Sequence, residues 1–489
     1  MTRFLGKLDI PLSLTFDDVL LEPAESHVDP NETDISSRFS RNIPLNVPLV
    51  SSAMDTVTEA GMAIAMAREG GIGVIHRNMT TEQEVEEVRT VKQAGELIER
   101  KVLSVGPDAT VADVGRLMQS HGIGGVPVVE KGRVIGIVSR RDVRAIVSRR
   151  GDEGIRSIMT RKPITAGEDI TMDQALEVMY TNKVERLPVV NEKRQLIGII
   201  TMQDILRMQQ YPHATRDSRG TLRVAAAVGP FDFDRAMLVD EAGADAIVVD
   251  TAHGHNMKVV KAVRDIRGSV KADLIAGNIA TAKAAESLAD SVDGLKVGIG
   301  PGSICTTRIV AGVGVPQITA IANVADVASG AGVPVIADGG VRYSGDVAKA
   351  IAIGADSVMI GSLFAGADES PGRVISMKGR KYKQYRGMGS LGVMSSGVSS
   401  DRYFQKKEIG QTKFVPEGVE GVTPYVGRVS DVIYQLAGGL RSGMGYTGCR
   451  TIAALQTKST FVRITAAGSI ESHPHNIMIT DEAPNYRVE

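Results

Sequence analysis

The chain has 489 residues, 43 % of them hydrophobic, and 56 basic against 57 acidic side chains give a formal net charge of -1. A balance this even, with no long Lys/Arg run, excludes a sequence-wide attraction to nucleic acid or to an anionic membrane surface. No uninterrupted apolar stretch of about 18 residues is present, and Asp9, Pro11, Asp17 and Asp18 break the amino terminus where a signal peptide would carry its apolar core, so a soluble, cytoplasmic protein is expected.

In chain order, the short apolar runs Pro48 to Ala53 and Gly71 to His76 read as buried strands, joined by an Ala/Met-rich helix over Val57 to Gly70. From residue 225 onward the same alternation of strand and amphipathic helix returns, with strands at Ala225 to Gly229, Ala246 to Asp250, Asp273 to Gly277, Leu295 to Gly300, Pro334 to Asp338 and Ser357 to Gly361. Eight strands too apolar to face water on either side predict a closed (β/α)8 barrel of the TIM type. An open doubly wound sheet is the alternative.

Residues 95–210 interrupt this pattern with an internal repeat. Val111 to Met118 matches Met172 to Met179, Val126 to Val129 matches Leu187 to Val190, and Ile135 to Val138 matches Ile197 to Ile200. A duplicated unit inserted at a surface loop leaves a barrel core intact. The expected organisation is therefore barrel over 1–94, inserted module over 95–210, and barrel again over 211–489. Residues 380–425, rich in Gly, Ser, Lys and Tyr with little periodicity, are expected to form an active-site lid.

Barrel enzymes place their chemistry on loops at the carboxyl ends of the strands. After the sixth strand comes Gly298-Ile299-Gly300-Pro301-Gly302-Ser303-Ile304-Cys305-Thr306-Thr307-Arg308. It offers a thiol beside a cation that favours the thiolate, although a small buried residue is also compatible with the position. After strands seven and eight come Asp338-Gly339-Gly340 and Gly361-Ser362, glycine loops suited to a phosphate or simply to tight turns. Gly387, Gly389 and Gly392 satisfy G-x-G-x-x-G, but no apolar strand and βαβ unit surrounds them, so they are not a dinucleotide fingerprint. The pairs His253/His255 and His473/His475 lack a closing carboxylate at zinc spacing, and Cys449 reads as a packing residue. On charge pattern alone, Asp401-Arg402-Tyr403 is a solvated turn. These residues point to a barrel enzyme that grips a phosphorylated small molecule and attacks it with Cys305 beneath a lid.

The cysteine loop, Asp338-Gly339-Gly340, Tyr385-Arg386-Gly387-Met388-Gly389-Ser390, Asp401-Arg402-Tyr403-Phe404-Gln405, Leu14 to Leu20 and Glu471-Ser472-His473 together closely resemble the inosine-5'-monophosphate dehydrogenase family, over essentially the whole chain. The repeat resembles a tandem CBS (Bateman) module. The resemblance implies oxidation of IMP to XMP with NAD, the committed step toward guanine nucleotides, through a covalent thioimidate on Cys305 that is then hydrolysed. It implies Arg402 and Tyr403 as the lid pair that activates water, with Thr307 sharing in that step. Ser303, Asp338, Gly339, Gly340, Gly361, Ser362, Tyr385, Arg386, Gly387, Met388, Gly389 and Glu417 are implied to hold IMP. Asp250, Gly298, Ile299 and Gly300 are implied to meet NAD. Gly300, Gly302 and Cys305, with Glu471, Ser472 and His473 of a neighbouring subunit, resemble a potassium site, which implies a homotetramer. The CBS module is expected to bind ATP or GTP, with Asp142 and Asp204 resembling its ribose contacts. Two rivals are a GMP reductase, expected to lack both the insertion and the lid pair, and a nucleotide-sensing protein with an idle barrel.

Overall fold

A computed structural model describes residues 5–396, 402 and 414–486. It divides into two compact units: Met1–Ala94 with His213–Asp217 and Leu222–Glu489, and Gly95–Pro212 with Ser218–Thr221.

The first unit is a closed barrel of eight parallel strands. In chain order these are β1 (Leu49–Ser51), β2 (Ile72–Ile75), β3 (Ala225–Val228), β4 (Ala246–Asp250), β5 (Asp273–Ile279), β6 (Gly294–Val297), β7 (Val335–Asp338) and β8 (Ser357–Ile360). Each strand pairs with the next. The ring closes where β8 meets β1, with Val358 opposite Leu49, and it is continuous across the insertion, with Ala225 of β3 opposite Val74 of β2. That closure excludes the open sheet. The strands are short and buried on both faces because helices cover the outside and side chains fill the inside. Small Ala225, Ala227 and Ala246 share the interior with Ile275, Ile336 and Met359, so narrow and broad side chains interdigitate in one core cluster.

One end of the barrel is stoppered. The hairpin Ser37–Ser40/Ile43–Leu45 packs buried Phe39, Ile43 and Leu45 into that same cluster. Ser40 Oγ donates to Asp273 Oδ2 at 2.5 Å, where β5 begins, and Ser37 Oγ donates to the Asp356 carbonyl at 2.6 Å, just before β8. The amino ends of the strands are thereby closed. Only the carboxyl ends are left for a site.

The described part of the expected lid over 380–425 is more regular than its composition suggests; residues 397–401 and 403–413 lie outside the described residues. Arg380–Arg386 is the central strand of a three-stranded antiparallel sheet between Val374–Met377 and Glu420–Pro424, and Leu391–Ser396 is helical. The strand alternates, with Lys383 and Tyr385 buried and their neighbours less so. A lysine can occupy such a position because its ammonium donates to the Ala367, Asp368 and Ser370 carbonyls at 2.8, 3.3 and 2.5 Å.

The second unit contains two similar halves. Helix Val111–Ser120, strands Gly125–Glu130 and Arg133–Ser139, and helix Arg140–Arg150 form one; Met172–Asn182, Arg186–Val190, Leu196–Thr201 and Met202–Gln209 form the other. Each buries its own apolar cluster, around Val114, Val126 and Val138 in the first and around Ala175, Leu187 and Ile200 in the second. Asp142 and Asp204 complete capping boxes: Ser139 Oγ donates to Asp142 Oδ2 at 2.7 Å and Thr201 Oγ1 to Asp204 Oδ2 at 2.5 Å.

Candidate active site

The carboxyl ends of β4, β6, β7 and β8 meet around two adjoining cavities. The first is lined by Cys305, Thr307, Asp250, Lys296, Asp338, Arg402 and Glu417, together with Gly298 to Gly302 and Gly387 to Gly389. The second is lined by Ser303, Gly340, Ser362 and Arg308, with Asp17 and Arg342 among its other walls. Gly302, Gly339, Gly361 and Tyr385 border both, so one elongated ligand can bridge them.

The β6 loop is forced into place by backbone that only glycine tolerates. Gly298 has φ +152°, and a Cβ there would stand 2.2 Å from the Asp338 carbonyl. β6 and β7 can therefore draw together beneath the cysteine. Further along the loop, Cys305 Sγ donates to Thr307 Oγ1 at 3.2 Å. Arg308 lies close enough to Cys305 for an electrostatic attraction, and burial pulls its guanidinium below its ordinary pKa. Its donors go elsewhere: Nε to the Ile299 carbonyl at 3.2 Å and Nη2 to the Val315 carbonyl at 2.7 Å. Arg308 thus braces the loop while placing positive charge beside the thiol.

Glycines at Gly339 (φ +89°) and Gly340 (φ +86°) turn the β7 loop so that backbone, not side chain, faces the second cavity. Tyr385 hydrogen bonds with Ser303, and burial, reinforced by the charges of Asp338 and Cys305, pushes its phenol well above the usual tyrosine range. Its hydroxyl stays neutral in the physiological range and donates to Met54 Sδ at 3.9 Å. The pattern of neutral hydroxyls and loop amides around an open end suits a phosphate.

Beneath the thiol lies a charged cluster that sequence reading missed. Lys296, on β6 and only 2 % exposed, donates to Asp250 Oδ1 at 3.0 Å and to Asp338 Oδ2 at 2.8 Å, and it also contacts Asn278 Oδ1. Asn278 Nδ2 donates to Asp338 Oδ2 at 2.9 Å and to the Gly298 carbonyl at 2.8 Å. Arg402 Nη1 forms an ion pair with Asp250 Oδ2, and the Arg402 carbonyl accepts from Ala252 N at 3.2 Å. The signal in the sequence was a lysine flanked by Leu295 and Val297 in a strand buried on both faces.

Several expected residues are not gathered here. Arg386 lines neither cavity; its guanidinium grips Asp55, with Nε 3.1 and 3.0 Å from the two carboxylate oxygens. Glu471, Ser472 and His473, which end and follow helix Ala466–Glu471, are expected to act at a neighbouring subunit's site and, in keeping with that, line neither cavity of their own chain. His473 Nδ1 lies 3.0 Å from the Tyr486 hydroxyl, and both rings pack on Tyr343. Tyr403 lies outside the described residues. Among the described residues no group of three or more His, Cys, Asp or Glu side chains could hold a metal. Carbonyls of Gly300, Gly302 and Cys305 on one loop are hard, neutral donors, which fit a weakly hydrated monovalent cation and not zinc.

The chain matches the family model described as the IMP dehydrogenase / GMP reductase domain over residues 13–475. It is 55 % identical over 487 residues to an inosine-5'-monophosphate dehydrogenase of Halobacterium salinarum, spanning 99 % of this chain and 97 % of that one. It is 54 % identical over 494 residues to the enzyme of the same name from Methanocaldococcus jannaschii, spanning 99 % of each. Among solved structures, a GMP reductase from Trypanosoma brucei in complex with guanosine 5'-monophosphate superposes with a TM-score of 0.86 and 40 % identity, over 97 % of this chain and all of that one. That match must include the inserted unit, so the insertion does not separate the two activities, contrary to the expectation above.

Proposed function

The chain belongs to the IMP dehydrogenase / GMP reductase family, and from that membership we propose that it oxidises IMP to XMP with NAD through a covalent adduct on Cys305. The observation that carries this reading is the presence of Cys305, Thr307 and an Asp250-held Arg402 around one cavity that continues into a hydroxyl- and glycine-lined end.

In this scheme the phosphate of IMP lies against Ser303, Gly340, Gly361, Ser362 and Tyr385, and Asp338 receives a ribose hydroxyl. Gly387, Met388, Gly389 and Glu417 border the base. Cys305 loses its proton and its sulfur bonds to purine C2, which becomes tetrahedral and releases its hydrogen with both bonding electrons. NAD, when bound along Asp250, Gly298, Ile299 and Gly300, supplies the acceptor for that hydride. Water, deprotonated with the help of Arg402, Tyr403 and Thr307, then adds to C2 and expels the thiolate, giving XMP. Asp250 is engaged by Arg402 in this arrangement. Arg402 must leave that carboxylate for the cofactor to use it, so the two half-reactions take turns at one place.

GMP reduction is the second reading, favoured by the full-length likeness to the trypanosomal reductase. Its 40 % identity is lower than the 55 % to the Halobacterium enzyme, which supports IMP oxidation. Assays pairing IMP with NAD and GMP with NADPH decide: NADH formation with a purine nucleotide adduct on Cys305 by mass spectrometry is expected, and activity in the second pairing alone reverses the assignment. The same reading extends to a cytoplasmic homotetramer in which Glu471, Ser472 and His473 of a neighbouring copy join Gly300, Gly302 and Cys305 around a potassium ion. It makes the inserted unit a tandem CBS module that binds ATP or GTP.

A further inference from the structure

A lysine with three polar partners in a barrel interior calls for a reason. Taking an ammonium and two carboxylates out of water costs more than packing an aliphatic side chain in the same volume. Leu295 and Val297, on either side of Lys296, show what the strand otherwise uses. The cluster is a chain of alternating charge, Arg402, Asp250, Lys296, Asp338, with Asn278 bracing Lys296 and Asp338 from the side.

Two consequences follow from which oxygen each group holds. Lys296 and Asn278 both donate to Oδ2 of Asp338, at 2.8 and 2.9 Å, which restrains the orientation of a carboxylate that borders the cavity and leaves its other oxygen outside both of these bonds. At Asp250, Lys296 holds Oδ1 while Arg402 Nη1 meets Oδ2. An arginine facing a carboxylate with both oxygens available closes a two-pronged fork, its strongest arrangement. With its negative charge already shared with a buried ammonium, the Asp250 carboxylate attracts the guanidinium less than an undivided one would.

We propose that Lys296 is a positioning residue for both halves of the reaction: it aims Asp338 at the substrate ribose and keeps Asp250 from locking Arg402 in place. This rests on the reading that Arg402 assists hydrolysis of a Cys305 adduct. Without Lys296, substrate capture weakens because Asp338 loses its orientation. Hydrolysis slows because Arg402 is held by an undivided carboxylate.

The test uses the full-length chain with Lys296→Met and Lys296→Arg, following the NADH burst, the steady state and the fraction of Cys305 carrying adduct. Lys296→Met is expected to raise KM for IMP about ten-fold or more, the effect of losing a charge-assisted contact. At saturating IMP it keeps a burst but lowers the steady rate at least as much, so adduct accumulates. Lys296→Arg, which retains a cation with several donors, is expected to recover most of the KM. Should the Met variant not fold, Lys296→Gln provides the same contrast. A purely structural lysine would lower the melting temperature while leaving KM and the burst-to-steady ratio at parental values, and that result overturns the proposal. Absence of adduct in the parent instead overturns the reading of the site, which the control separates from the first outcome.

Discussion

Cys305 and Thr307 face each other across 3.2 Å on the loop that leaves β6, thiol to hydroxyl. A hydroxyl so close to the sulfur is also close to whatever carbon the sulfur binds. In the proposed scheme, the water that replaces the sulfur approaches beside this hydroxyl. In that scheme the nucleophile and a residue that assists its removal are two residues apart on a single turn.

Cys305→Ala is expected to reduce NADH formation from IMP and NAD to background. The ATP or GTP binding proposed for the inserted unit should persist, because that unit is compact by itself and buries its own apolar clusters. Calorimetric titration beside the rate assay checks both. Retained turnover would refute the nucleophile assignment.

Arg402→Ala and Thr307→Val should leave a rapid first turnover while slowing later ones, by about ten-fold or more for the arginine, since in the proposed scheme each acts after hydride transfer. Stopped-flow absorbance at the NADH band reads this directly. Equal slowing of both phases counts against a hydrolytic role.

Tyr385→Phe removes a buried hydroxyl linked to Ser303 at the junction of the two cavities. KM for IMP is expected to rise by about five- to fifty-fold, as for loss of one hydrogen bond to a charged group. The turnover number should change less. Because burial lifts the phenol beyond the working range, the parent should show no alkaline limb assignable to this residue, and the variant's pH profile should match the parent's.

Away from the site, Glu84 is fully buried against Arg235 Nη1 at 2.5 Å. Burial pushes its carboxyl from 4.5 up to about 8, with the attraction of Arg235 opposing. A folded-state value above the unfolded one means that the native state binds the extra proton. Its stabilisation is present below pH 4.5 and is lost as pH rises toward 8. Glu84→Gln abolishes this titration, so the melting temperature of the variant minus that of the parent should grow more positive from pH 5 to 8. A difference that stays flat, or falls, contradicts the assigned shift.

The eight strands were legible because burial on both faces reduces each to a short apolar run, and Ala246 to Asp250 is found at the expected residues. Asp338 and the cysteine loop could be placed for the same reason: a strand end is a boundary between apolar and glycine-rich sequence. Lys296 was absorbed into an apolar run, since periodicity does not register a charge whose partners come from β4, β5 and β7. The strand Arg380–Arg386 was hidden by its own chemistry. Its buried positions are Lys383 and Tyr385, and what makes Lys383 buriable is a set of carbonyls from residues 367–370. Arg386 was read as a ligand contact because it sits within a motif, whereas its neighbour in space is Asp55.

The hairpin wedged beneath the strands also decides how traffic must run. With Phe39, Ile43 and Leu45 sealing the floor, the described residues leave no rear exit. In the proposed scheme, nucleotide, dinucleotide and the water that ends the cycle all queue at the same doorway, and the spent cofactor has to clear it before hydrolysis can begin. A bottle-shaped reactor of this kind enforces sequence by geometry, so mutations that loosen the rim should disturb the order of events before they disturb any individual bond-making step.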